Sequence, residues 1–76
     1  MPNRIDLLAS TNTNLGATLQ NSLSALRANN IHILATGEII STHATPFARI
    51  LLRDLYDKSR ALQVLTVAGI DHPALD

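Results

Sequence analysis

The sequence predicts a mainly α fold: a small helical domain, with a short β-hairpin or strand around residues 31–42 and the option of a strand over 62–68. Three observations lead there. Residues 45–65 hold the longest stretch with one dominant period, and no Gly or Pro follows Pro46 within it. At about 100° per residue, Phe47, Ile50, Leu51, Leu55, Leu62 and Leu65 share one broad apolar arc. Upstream, Leu15, Leu19, Leu23 and Leu26 repeat at four, four and three, the spacing of a helical seam.

In chain order, Asn3 with Asp6 three residues on suits the start of a first short helix, with Ile5 and Leu8 turned inward. The polar run over residues 10–14 breaks it, because Ser, Thr and Asn side chains compete for backbone hydrogen bonds. Thr13 or Asn14 starts the leucine helix, and Asn29-Asn30 ends it, since Asn tolerates the left-handed conformation. Residues 31–42 change character: isoleucines at 31, 33, 39 and 40 flank Gly37, a turn marker, and the segment reads as a β-hairpin or strand or equally as a short helix beginning at Thr36 with Glu38 in its first turn. Thr45-Pro46 then opens the central helix, with Thr45 as cap and Pro46 at the first helical position. The β-branched stretch Val64 to Val67 is the basis of the strand alternative at 62–68. The 76 residues read as one domain, with a loose tail from about residue 69, where Gly69 and Pro73 end regular structure.

A core of this size supplies only a few kcal/mol of net stability. Cysteine is absent, which excludes disulfides and thiolate metal sites. His32, His43 and His72 have no ligand spacing, so no metal and no cofactor is expected. The chain is 46% hydrophobic and 16% charged, more apolar than a small surface needs, and a homodimer or burial against another protein accounts for the excess. Formal net charge is zero, which disfavours non-specific nucleic-acid binding. No apolar run reaches membrane-spanning length and no export signal is read near Arg4 and Asp6, so no membrane partner and a cytoplasmic location are expected.

Two groups of residues are candidates for binding. Arg49, Arg53, Tyr56 and Arg60 fall on one stripe of the expected central helix, where planar guanidinium groups suit carboxylates or phosphates and Tyr56 adds a flat surface. Leu15, Leu19, Leu23 and Leu26 are either intramolecular core or a self-association seam. Catalysis is not expected. Ser41, His43 and Asp54 or Asp57 are the nearest approach to a triad, and neither a nucleophile elbow nor a phosphate-cradling glycine loop accompanies them.

Glu38-Ile39-Ile40 and Leu51-Leu52-Arg53-Asp54-Leu55 together resemble the helix-turn-helix of winged-helix regulators. The resemblance implies that Thr45, Phe47, Ala48 and Arg49 begin a groove-facing helix and that residues 62–67 form a wing strand. The two phrases sit closer together than in that family, and His43 or Ala44 stands where its turn glycine would be. The function expected first is therefore a small non-enzymatic interaction protein, an adaptor, inhibitor or antitoxin-like regulator that binds another protein through a helix face. The alternative is a small dimeric helix-turn-helix-like transcriptional regulator that binds DNA through Arg49, Arg53 and Arg60.

Overall fold

The protein is described by a computed structural model over residues 3–9, 14–40 and 45–72. Its elements run β1 (Arg4–Leu7), α1 (Leu15–Ala28), β2 (Ile33–Ile39), β3 (Phe47–Leu52), a 3-10 turn (Leu55–Asp57) and α2 (Lys58–Val67). The three strands form one antiparallel sheet in the order β1-β3-β2, so the last strand in sequence is the central one. This is an α/β fold, and it corrects the mainly α expectation.

The correction turns on residues 47–52. Phe47, Ile50 and Leu51 share a helical arc, but the same six residues also alternate. Ala48, Ile50 and Leu52 are fully buried, while Phe47, Arg49 and Leu51 are only partly covered. As a strand the segment puts three aliphatic side chains on one face and gains a hydrogen-bonded neighbour on each side. The first short helix is likewise replaced by β1, with Ile5 and Leu7 on the buried face. Asn3, expected as a helix cap, instead donates from its amide nitrogen to the Leu52 carbonyl at 2.6 Å and fastens the start of β1 to the end of β3. Residues 62–67 belong to α2, not to a strand. Gly37 lies mid-strand in β2 opposite Arg49, not at a turn.

The leucine helix forms where the spacing places it. Asn14 is the cap, its side-chain oxygen accepting from the Ala17 N–H at 2.7 Å. At the other end Asn30 takes a φ of 60°, the Asn30 N–H donates to the Arg27 carbonyl, and the Ile31 N–H reaches back to Leu26. The end of α2 repeats this arrangement. Gly69 has φ 75°, its N–H donates to Thr66, and the Ile70 N–H donates to Leu65. Both are Schellman closures, each drawing an isoleucine back against the leucine it bonds to. Ile31 is buried in the core and Ile70 packs against it, so ordered structure continues past residue 69.

Leu19, Leu23 and Leu26 of α1 meet Ile5 and Leu7 of β1, the buried face of β3, and Ala61 and Leu65 of α2 in one core. Thr18 and Ser22 are also buried on α1, and their hydroxyls are satisfied within the helix by the Asn14 and Thr18 carbonyls. The polar run 10–13, the loop 41–44 and the tail 73–76 lie outside the described residues.

Core weight accordingly falls on Leu26, Ile50 and Leu65. Ile50→Ala or Leu65→Ala is expected to cost about 2–5 kcal/mol in urea melts. Leu55→Ala, at a side chain 44% exposed on the 3-10 turn, is expected to cost less than about 1 kcal/mol. Equal losses at Leu55 and Leu65 would contradict this packing.

Candidate functional site

The arginine stripe depends on one continuous helix, and that helix does not form. Arg49 lies on β3, Arg53 follows the strand, Tyr56 sits in the 3-10 turn and Arg60 is in the first turn of α2. Arg53 and Arg60 are exposed and each has a local partner, Asp54 and Asp57 respectively, at 3.4 Å. Tyr56 is 96% exposed. Arg53, Tyr56 and Arg60 thus follow one another along the β3–α2 connection, while Arg49 pairs across the sheet. The helix-turn-helix implied by the resemblance is also not formed, because its groove-facing segment is strand β3.

Arg49 has a structural partner that local sequence patterns do not reveal. The Leu52 N–H donates to the Asn3 carbonyl, and in an antiparallel ladder the bonded pairs then alternate. In this register Asp6 and Arg49 are directly opposite in a non-hydrogen-bonded pair, the kind that brings side chains closest. The Arg49 Nε donates to Asp6 Oδ1 at 2.9 Å, and a terminal guanidinium nitrogen donates to Oδ2 at 3.2 Å. The guanidinium also lies 5.1 Å from the Phe47 ring centroid. Arg4 approaches Asp6 from the other side at 3.9 Å. The carboxylate of Asp6 is buried beneath these groups. Hydrogen bonding to Asp6 is the main cause that raises the Arg49 pKa, so Arg49 remains charged at all ordinary pH. The raised value means that the pair's contribution through Arg49 is present below arginine's usual range and lost only as pH rises beyond it.

The leucine seam is spent within the protomer. Leu19, Leu23 and Leu26 are buried in its own core, and Leu15 packs against that core. Of the other candidates, His72 Nε2 lies 2.8 Å from the Thr66 hydroxyl, His32 is exposed, and Ser41 and His43 lie outside the described residues. Among the described residues no group of three or more His, Asp or Glu could hold a metal ion.

Among the described residues, β1 and β2 each have a strand neighbour on one side only. The two edges differ. β1 is four residues long, buried from Ile5 to Leu7, and carries the Arg4–Asp6 charges. β2 is seven residues long, mostly exposed, and contains no Pro, Lys or Arg. Leu34 is 64% exposed and Ile40, just past the strand, 76%. Because Ala35, Gly37 and Ile39 face β3 in bonded pairs, the backbone groups of Thr36 and Glu38 point to the open edge. Most edge strands are blunted by charge, proline or brevity. This one has a β-bulge near Leu34 and the single charge of Glu38. The isoleucine-rich run was visible in the sequence. Its position at an edge was not, since that follows from β3 taking the centre.

The chain matches no family model, no curated protein and no solved structure. No described helix is long and apolar enough to cross a membrane.

Truncating Arg49 is expected to lower the urea midpoint more than truncating Arg53 or Arg60, because it leaves a buried carboxylate without its bidentate partner. Equal, negligible effects for Arg49→Ala, Arg53→Ala and Arg60→Ala would show that the cross-strand pair contributes nothing.

Proposed function

We propose that this chain is a non-enzymatic interaction domain that binds protein by strand addition at the β2 edge. One observation carries the reading: a seven-residue edge strand whose outward backbone groups, together with Leu34 and Ile40, are left open to a partner. An extended segment laid along such an edge gains main-chain hydrogen bonds for affinity and side-chain contacts for specificity. The high apolar content that suggested association from the sequence has, in this reading, a location. The surface is the sheet edge, which replaces the helix face expected from the arginine stripe. Absence of cysteine suits a reducing compartment, and the cytoplasm is the setting proposed.

The test is site-specific photo-cross-linking in cells. A photoreactive phenylalanine analogue placed at Leu34 or Ile40 is expected to give protein adducts, and the same group at the exposed Tyr56 is expected to give few. Strong adducts from position 56 with none from 34 or 40 would move the site to the β3–α2 connection. Nucleic-acid adducts alone would overturn a protein-binding role.

A further inference from the structure

The β2 edge has an internal symmetry that names an occupant. In an antiparallel pair related by a two-fold axis at Gly37, each residue before Gly37 meets the residue equally far beyond it in the second copy. Thr36 then meets Glu38 and Ala35 meets Ile39. Leu34 and Ile40, both strongly exposed, come together at each end of that paired segment, Leu34 from within the bulge and Ile40 from just past the strand. We infer that the partner at this edge is a second copy of the chain, joined through antiparallel β2 strands about Gly37 into one continuous six-stranded sheet. The inference rests on the proposed role of the β2 edge and specifies what occupies it.

Hydrogen-bond parity fits this axis. The outward backbone groups belong to Thr36 and Glu38, so those residues form the bonded pairs across the axis and Gly37 meets its copy in a non-bonded pair. Non-bonded pairs have the shortest Cα separation, about 4.5 Å, and glycine there brings no side chain into contact. A Cβ added at Gly37 meets nothing within 4 Å inside the protomer. Charge disfavours the neighbouring register at Glu38, which would oppose two carboxylates, whereas an axis at Gly37 sets each Glu38 across from a Thr36 hydroxyl. The bulge between Ile33 and Ala35 ends the regular edge just where the Ile40 side chain of the second copy would arrive. β1 offers no comparable surface, being short, buried and charged.

The natural chain has no cysteine, so a single Gly37→Cys thiol can report on the axis. Gly37 does not have a positive φ, and there is open space for the new side chain. At tens of micromolar under mild oxidation by glutathione disulfide, Gly37→Cys is expected to give covalent dimer much faster than Gln63→Cys, an exposed control on α2. Register is tested by charge exchange. Leu34→Lys alone and Ile40→Glu alone should each raise the dimer dissociation constant at least about tenfold in sedimentation equilibrium, while the double variant should recover most of the loss through paired opposite charges. Cross-linking of Gly37→Cys no faster than the control, with the wild-type chain monomeric at the same concentration, would overturn the dimer. If adducts from 34 and 40 then persist on a different protein, the strand-addition role stands without self-pairing. If they too are absent, both fail.

Discussion

Everything in this domain depends on β3 holding the middle of the sheet. Its buried face, Ala48, Ile50 and Leu52, is the floor on which the core is assembled, and its two backbone edges hold β1 and β2. A six-residue strand that is saturated on both edges and fully buried on one face cannot slip by a single residue. Such a slip would turn Phe47, Arg49 and Leu51 toward the helices and expose the aliphatic set. The bidentate bond between Arg49 and Asp6 adds a second constraint from the opposite face, because only one register brings the two groups together.

With the centre fixed, the two edges take on different characters. β1 ends the sheet: it is short, inward-facing and fastened by Asn3 at one end and by a charge cluster along its outer face. β2 leaves the sheet open. Its exposed residues are apolar or small apart from Glu38, and among the described residues no strand lies along its outward backbone groups. A domain with one short, charged edge and one long, bare edge has an asymmetric surface, and that asymmetry is what the proposed binding role is argued from.

The legibility of the chain followed the range of the forces involved. α1 could be read because its signals are local: a four-four-three leucine repeat, an Asn that caps its own third residue on, and an Asn that turns left-handed at the end. Isoleucine spacing in the 31–42 region is compatible with strand or short helix alike, and Gly37, a turn marker by residue type, lies within β2. β3 was missed because Phe47 to Leu52 satisfies two periods at once, and the choice between them is made by Ile5, Leu7 and Leu26, residues remote in sequence. Reading 45–65 as one helix then produced the arginine stripe. Arg49 joined a stripe with Arg53, Tyr56 and Arg60 only if the backbone kept one twist from end to end. The pairing that Arg49 does make reaches across 43 positions and leaves no local trace.

That span has a kinetic side. β2 and β3 are neighbours in sequence, so their ladder closes a short span of chain at a small entropic cost. β1 must cross the sequence length of α1 and the whole hairpin before Asp6 meets Arg49. Joining β1 is therefore the costlier closure of the two. What β1 supplies on arrival is the second backbone ladder of β3, so the central strand is complete only once the most distant pairing in the sheet has formed.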